Sequence, residues 1–209
     1  MTLAHQPSMW DLAEKATLGR LAGAVRRHPL GKGAWVDHPP GWVSGSDEIL
    51  EVLLGDIGWR EDRRQMYERE VAVPRLLRWY GRDETLPHPL LTDARTELDL
   101  FYGPELGEPF VGAGMCLYRD GRDSVAWHGD RIGRGRSSDT MVAIVSFGSP
   151  RPLMLRPVGG GESVRFPLGH GDLVVMGGSC QRTWEHCIPK TAKAEGPRVS
   201  VQFRPRGVA

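Results

Sequence analysis

The sequence predicts a mainly β fold of the α+β class: a double-stranded β-helix, or jelly roll, with helices in its N-terminal half. From Gly112 onward, short apolar or alternating runs are separated by glycine-containing turns such as Asp120-Gly121. Strands spaced in this way are typical of a sandwich or barrel, and about eight of them suit a jelly roll. We expect strands near residues 113–118, 124–130, 140–147, 152–156, 162–167, 172–177, 183–188 and 197–204.

Length and composition set the scale of this fold. A chain of 209 residues suits one domain, and 27 glycines with 16 prolines favour a turn-rich fold over a helical bundle. We interpret residues 1–30 as an N-terminal extension that carries a predicted helix from Met9 to Val25. Residues 31–209 are interpreted as a single domain with its jelly-roll core at about 110–205.

Two further helices are predicted ahead of the core. Ser44 or Ser46 can cap the first, which has acidic residues in its first turn and an apolar stripe made by Ile49, Leu50, Leu53 and Leu54. The second is expected over residues 91–102, capped by Thr92 or Asp93.

Charge and cysteine usage narrow the function classes. The net charge of +1 gives no global attraction to nucleic acid, and three cysteines without a C-x-x-C pair indicate reduced thiols rather than a disulfide framework. No apolar run approaches the roughly 18 residues of a membrane span, and the N-terminus lacks a signal-peptide pattern. We therefore expect a cytoplasmic monomer without a membrane partner.

A candidate metal site begins at His128 and Asp130, which lie two positions apart. In a strand, a period of two places both side chains on one face, where they can bind one ion. His186 is the best candidate for a third ligand. Two histidines and one carboxylate leave other coordination positions open, as in non-haem Fe(II) oxygenases. The alternative is a loop histidine that is hydrogen-bonded to a nearby acid, because such residue pairs often arise by chance.

The closing strand alternates strictly between polar and apolar residues. Its polar face carries Arg198, Ser200, Gln202 and Arg204, while Val199, Val201 and Phe203 point the other way. On an exterior strand the polar face would meet water. If it lines the interior of a barrel instead, the two long arginine side chains can converge on a small dicarboxylate.

A densely charged segment from residue 59 leads into the run Val71–Gly81. One interpretation is a solvated face followed by a core strand. The other is a lid at about 59–90 that faces a nucleotide, in which Trp79 and Tyr80 stack on a base and Arg75 or Arg78 reaches a phosphate.

The combined motifs resemble those of the AlkB-like Fe(II)- and 2-oxoglutarate-dependent dioxygenases. The resemblance covers about residues 35–204 and rests on His128-x-Asp130, His186 and Arg198-x5-Arg204. It extends to Tyr118-Arg-Asp-Gly-Arg-Asp-Ser, Ser146-Phe-Gly, His170-Gly-Asp-Leu-Val-Val-Met-Gly-Gly, Gln181-x-x-Trp184-x-His186 and Val73-Pro-Arg-Leu-Leu-Arg-Trp-Tyr-Gly81. Members of this family oxidatively remove alkyl groups from nucleobases and release an aldehyde.

The resemblance implies a role for each matching residue. Fe(II) would be bound by His128, Asp130 and His186, and 2-oxoglutarate by Tyr118, Arg198, Gln202 and Arg204, with O2 as the second co-substrate. Alkylated DNA or RNA would be the substrate, contacted by Arg75, Trp79 and Tyr80 of the lid, and Arg131 is a further substrate-binding candidate that does not come from the resemblance. A modified base must leave the helix to reach the metal, which agrees with an aromatic lid.

Two positions depart from the family pattern. Many members carry asparagine where this chain has Cys116, so one hydrogen bond to the co-substrate is missing. Many also have acidic residues directly after His-x-Asp, whereas this chain continues as Arg131-Ile-Gly-Arg-Gly-Arg136. This arginine-rich loop either grips phosphate or forms an exposed turn.

Two other function classes stay open. One is a 2-oxoglutarate-dependent hydroxylase or demethylase that acts on a protein or small molecule. The other is a non-catalytic metal-binding jelly roll, or a zinc hydrolase with the same three ligands, which gives no account of the paired arginines on the last strand.

Overall fold

The computed structural model describes residues 15–55, 57–66, 69–130, 136–193 and 195–208, and for residues 63–66 and 69–72 it describes the backbone alone. Within these residues the helices are α1 Asp47–Leu54, α2 Pro89–Leu106 and α3 Cys180–Thr183. The strands are β1 Thr17–Leu18, β2 Arg27–Gly31, β3 Ala34–Asp37, β4 Val43–Ser44, β5 Arg60–Met66, β6 Arg69–Tyr80, β7 Phe110–Tyr118, β8 Val125–His128, β9 Val142–Gly148, β10 Arg151–Pro157, β11 Val164–Leu168, β12 Asp172–Gly178, β13 Trp184–Ile188 and β14 Arg198–Pro205.

Two antiparallel sheets form the body of the protein. The larger has the strand order β2-β3-β12-β9-β14-β7-β6-β5, and the smaller has the order β11-β10-β13-β8. One buried cluster joins Val142, Ile144 and Val174 of the larger sheet to Leu155 and Ile188 of the smaller one. The two sheets therefore enclose a shared interior, which confirms the predicted jelly roll.

A second apolar layer covers the outer face of the larger sheet. Ile49, Leu50 and Leu53 of α1 are fully buried there, and α2 adds Leu91 and Leu98. Burial of this stripe explains why the short α1 is stable, since tertiary packing supplies most of the stability of a short helix.

This layer decides which way β14 faces. Val199, Val201 and Phe203 are fully buried in the cluster that contains the two helices. Successive side chains alternate across a strand. The polar residues Arg198 and Gln202, which alternate with these three, must therefore point between the two sheets. The polar face of β14 thus lines the interior rather than meeting water.

The predicted N-terminal helix is wrong over residues 15–25, while residues 9–14 lie outside the described part of the chain. In its place β1 pairs with β4, and β2 joins the larger sheet. Gly19 donates to the Trp42 carbonyl at 2.6 Å, and the Trp42 indole donates back to the Gly19 carbonyl at 2.8 Å. Gly23 has φ +80°, which a right-handed helix excludes.

The start of α2 also differs from the prediction. The helix begins at Pro89, and the Nδ1 of His88 accepts a hydrogen bond from the Leu90 N–H at 3.2 Å. Proline suits the first helical position because its φ is already helical and its missing N–H would have no partner there. Thr92 and Asp93 therefore lie inside the helix. Across the described ranges, no helix has both the length and the apolar character of a transmembrane span.

Candidate metal and co-substrate site

Three side chains that could bind a metal converge where β8 meets β13. His128 and His186 are direct cross-strand partners, and their ring centroids are 4.2 Å apart. Asp130 follows two residues after His128, beyond the end of β8, so the strand is shorter than predicted. One ligand atom from each of the three residues lies within 4.8 Å of the others. The sequence therefore identified a cluster that the fold assembles.

The protonation states of this cluster suit a metal. Burial lowers the pKa of His128, and it lowers the pKa of His186 to about 3, so both imidazoles are neutral near pH 7. Burial alone would raise the pKa of Asp130, but Arg204 and the two histidines outweigh it and hold the pKa at about 2. His128 Nδ1 lies 2.8 Å from the Ala126 carbonyl, which favours a proton on Nδ1 and leaves Nε2 as the ligand atom.

A second layer of polar groups orients Asp130. The Arg204 guanidinium donates to Asp130 Oδ2 at 3.0 Å and to Gln202 Oε1 at 2.7 Å. The Asp130 N–H donates to Gln181 Oε1 at 3.0 Å. Arg204 is thus engaged with a metal-ligand candidate, and its predicted contact with a dicarboxylate stays a prediction. The sequence indicates Gln181 only as part of a motif, because its contact with Asp130 depends on long-range packing that no local pattern displays.

Arg198 offers an anion site inside the same cavity. Its side chain is 1% exposed, its Nε donates to Ser146 Oγ at 2.9 Å, and its Nη1 is buried without a partner among the described residues. Burial lowers the pKa of Arg198, yet an arginine stays charged. A buried cation with a free N–H is costly unless an anion binds, so this position fits one carboxylate of 2-oxoglutarate.

Tyr118 supplies a second donor beside Arg198. The Arg198 guanidinium carbon lies 5.2 Å from the Tyr118 ring centroid. Burial, followed by the nearby Cys116 thiol, raises the pKa of Tyr118 to about 12, so the hydroxyl keeps its proton. Gln202 donates to Cys116 Sγ at 3.2 Å and to Ser200 Oγ at 3.0 Å. The thiol that replaces the family asparagine is therefore held by a neighbouring amide.

The three metal-ligand candidates, Tyr118 and the polar side chains of β14 line one cavity of about 1010 Å³, while Gln181 and Ser146 lie behind its wall. Its other side includes Arg75 and Trp79 of β6. A volume of this size accommodates a small co-substrate together with a second group of nucleobase size.

Trp79 lies flat against two glycines on the neighbouring strand. It pairs directly with Gly114, and it is 46% exposed. A Cβ on Gly112 would lie 2.5 Å from Trp79 Cζ2, and a Cβ on Gly114 would lie 2.7 Å from Arg204 Nη1. The absence of side chains at these two positions lets the indole form one wall of the cavity, which agrees with the predicted stacking surface.

The prediction that Tyr80 stacks beside Trp79 is wrong. Adjacent residues of a strand point to opposite faces. Tyr80 is 6% exposed in the cluster under the helices, where its hydroxyl donates to the Ile57 carbonyl at 3.5 Å. Arg78 is paired with Glu84 at 2.8 Å. Arg75 and Arg78 both line the cavity, where Arg75 donates to the Ser124 carbonyl at 3.2 Å, and Arg131 lies outside the described residues.

Comparison with known proteins assigns this chain to a protein family. Residues 105–204 match the 2OG-Fe(II) oxygenase superfamily. Human alpha-ketoglutarate-dependent dioxygenase alkB homolog 3 is 33% identical over 196 residues, which cover 80% of this chain and 66% of the relative. Human DNA oxidative demethylase ALKBH2 is 35% identical over 180 residues, which cover 76% of this chain and 68% of the relative. The chain belongs to the AlkB-like family of Fe(II)- and 2-oxoglutarate-dependent dioxygenases.

The AlkB-like family comprises oxidoreductases whose cofactors are Fe(II), 2-oxoglutarate and O2, and this chain spans just under two thirds of the length of its human alkB homolog 3 relative. Among solved structures, a prolyl hydroxylase from Trichoplax adhaerens in complex with a hypoxia inducible factor peptide has a TM-score of 0.60 at 13% identity. That match covers 82% of this chain and 83% of the hydroxylase, and at this identity it supports the jelly-roll fold alone.

Proposed function

We propose that this protein oxidatively removes alkyl groups from nitrogen atoms of nucleobases, with alkylated DNA or RNA as its substrate and direct reversal of damage as its role. The observation that carries the proposal is the shared cavity, in which His128, Asp130 and His186 lie near the buried Arg198 and face a wall formed by Trp79. The name of the human relative ALKBH2, DNA oxidative demethylase, supports this substrate class.

The residues of the cavity take distinct roles in this proposal. His128, Asp130 and His186 would hold Fe(II), which together with O2 and 2-oxoglutarate supplies oxidation of an unactivated C–H bond. Arg198 and the protonated Tyr118 hydroxyl would hold the co-substrate dianion. Arg204 keeps Asp130 ionised and oriented, since it is hydrogen-bonded to the carboxylate.

The overall chemistry balances without a further reductant. 2-Oxoglutarate and O2 give succinate and CO2, and the second oxygen atom of O2 becomes the hydroxyl group on the N-alkyl carbon. The resulting hemiaminal loses its hydroxyl proton as the C–N bond breaks, so an aldehyde leaves and the nitrogen is restored.

Substrate recognition would use the β6 side of the cavity. Trp79 offers an exposed aromatic face on which an extruded base can stack, and such stacking is tolerant of sequence. Arg75 is placed to contact the backbone of the strand or the base itself. A base in a duplex must be flipped out before its alkyl group can reach the metal.

The deciding experiment loads the protein anaerobically with Fe(II) and 2-oxoglutarate, then adds O2 and an oligonucleotide that carries 1-methyladenine or 3-methylcytosine. Mass spectrometry should show loss of the methyl group in step with succinate. Succinate without demethylation would keep the oxygenase and contradict the substrate assignment. Neither product, from protein that binds both cofactors, would contradict the enzymatic role.

A 2-oxoglutarate-dependent hydroxylase of a protein or small molecule is the second candidate, favoured only by the fold shared with the prolyl hydroxylase. Affinity for single-stranded DNA that falls with rising salt would separate the two, because phosphate contacts release counterions. The cytoplasmic location, the monomeric state and the division into residues 1–30 and 31–209 stay predictions.

A further inference from the structure

Arg151, at the start of β10, is a buried arginine that the proposed chemistry leaves unused. Its side chain is 2% exposed, and it is among the largest fully buried side chains of the described residues. Its guanidinium donates to three backbone carbonyls, those of Asp120 at 3.0 Å, Asp123 at 2.9 Å and Pro189 at 2.6 Å. Burial of a charged guanidinium costs free energy, so we expect Arg151 to have a specific role.

These three carbonyls belong to the segments that carry the site. Asp120 and Asp123 lie in the loop between Tyr118, the last residue of β7, and β8, which ends at His128. Pro189 directly follows β13, which carries His186. One guanidinium therefore connects the strand ends that present the co-substrate tyrosine and both histidines.

Among the described residues, no carboxylate is hydrogen-bonded to the Arg151 guanidinium. The Asp123 carboxylate is bound by Arg119 at 2.8 and 3.0 Å, and the Asp120 carboxylate is bound by Arg122 at 2.6 Å. From these neighbours, only neutral backbone carbonyl groups therefore accept hydrogen bonds from Arg151. Coulomb interactions are screened weakly in a buried site, so this charge acts over several ångströms.

Tyr118 lies between this charge and the cavity. The Arg151 guanidinium carbon is 5.9 Å from the Tyr118 ring centroid, and that of Arg198 is 5.2 Å from it. Arg198 lines the cavity, whereas Arg151 does not. Two buried guanidinium groups thus flank one tyrosine, one of them in reach of a ligand and the other behind it.

We propose that Arg151 is a positioning residue for 2-oxoglutarate, which fixes the loop after Tyr118 and adds a second positive charge behind the pocket for the dianion. The inference rests on the proposed roles of Tyr118 and Arg198. If Arg151 had a purely structural role, its loss would lower the stability of the fold and leave the affinity for 2-oxoglutarate unchanged. A positioning residue changes that affinity in protein that is still folded and still binds Fe(II).

Two substitutions of Arg151 separate the contribution of its hydrogen bonds from the contribution of its charge. Arg151→Met removes the charge and all three hydrogen bonds, and Arg151→Lys keeps the charge but loses the forked geometry. Arg156→Met is the matched control, because Arg156 lies on the same strand but is partly exposed and paired with Glu185 at 3.2 Å. Each variant is first checked for a cooperative thermal transition and for its Fe(II) affinity.

The affinity is measured by anaerobic titration of the Fe(II)-loaded protein with 2-oxoglutarate, followed by the absorbance change on binding. We expect Arg151→Met to raise the Kd roughly tenfold, which corresponds to about 1.4 kcal/mol. Arg151→Lys should give an intermediate value, and Arg156→Met should match the wild type. At saturating 2-oxoglutarate the kcat of Arg151→Lys should recover, since the metal ligands are intact.

The outcomes distinguish this inference from the site assignment on which it rests. Arg198→Met should abolish measurable 2-oxoglutarate binding, and normal binding by that variant would contradict the proposed pocket itself. If Arg198→Met fails to bind while both Arg151 variants bind 2-oxoglutarate as the wild type does, the role of Arg151 alone is overturned. If Arg151→Met does not fold, Arg151→Lys decides by the same comparison.

Discussion

His128 and His186 face each other across the β8–β13 pair with their ring centroids 4.2 Å apart, although 57 residues of chain separate them. The short β8 contributes one ligand candidate to the smaller sheet, and β13 holds the other in register. Arg204 approaches Asp130 from β14 of the larger sheet. The proposed metal site thus joins the two sheets at one end of the jelly roll.

Loss of any proposed iron ligand should abolish turnover. We expect His128→Ala and Asp130→Ala to lower the production of succinate by at least about 100-fold, because two remaining ligands bind Fe(II) too weakly to compete with water. Fe(II) affinity and succinate are measured together. His28→Ala, on β2, serves as the control and should behave as the wild type, and wild-type turnover in either ligand variant would contradict the assignment.

Mild acid should destabilise the metal-free protein through His186. Burial lowers the pKa of its imidazole from the ordinary 6.5 to about 3. Between pH 6.5 and about pH 3, the imidazole of His186 is protonated in the unfolded chain but neutral in the folded protein. Stability is therefore fully present above about pH 6.5 and is lost as the pH falls, at up to about 1.4 kcal/mol per pH unit. His128 acts in the same direction.

The test measures urea unfolding of chelator-treated protein between about pH 7 and 5.5, a window in which carboxylates contribute little. His186→Asn removes the titrating group and should flatten the pH dependence. His28→Asn, which keeps His186, should retain it. Equal slopes for His186→Asn and the wild type would show that the buried imidazole does not control acid stability.

Trp79 and Tyr80 should differ sharply in their effect on nucleic-acid binding. Trp79→Ala removes the exposed wall of the cavity and should weaken binding of a methylated single strand by about 1–3 kcal/mol, the range for loss of one stacked base. Tyr80→Phe changes only a buried hydroxyl on the opposite face and should leave that affinity unchanged. Fluorescence anisotropy with a labelled oligonucleotide measures both, and the reverse order of effects would contradict the orientation of β6.

The cluster of metal-ligand candidates, the jelly roll and the alternation of β14 could be predicted because each depends on local pattern. His128-x-Asp130 and the strict polar alternation of the last strand are visible in the sequence alone. Which face of β14 is interior is not, since it depends on α1 and α2 covering Val199 and Phe203. In the sequence, only the resemblance to the family indicates that the polar face of β14 points to the interior.

The errors have physical causes of the same kind. Trp79 and Tyr80 are equally aromatic, and only the packing of Tyr80 against the helix layer assigns one to the cavity and the other to the core. The helix predicted from Met9 to Val25 is overridden, in its described part, by the pairing of Gly19 with Trp42, which lies 23 residues away. No periodicity indicates Arg151, because its three partners are backbone carbonyls on other segments.

The two arginines of β14 should separate into two functions. Arg198 has a buried Nη1 that finds no partner in the described part of the chain, so Arg198→Met should chiefly abolish measurable 2-oxoglutarate binding. Arg204 is paired with Asp130 at 3.0 Å, so Arg204→Met leaves a buried carboxylate without its cation and should chiefly weaken Fe(II) binding, by about tenfold or more. Both ligands are titrated separately against each variant under anaerobic conditions. If Arg204→Met weakens 2-oxoglutarate as strongly as Arg198→Met does and leaves Fe(II) binding unchanged, the two side chains act together on the dicarboxylate, and Asp130 is oriented by Gln181 instead.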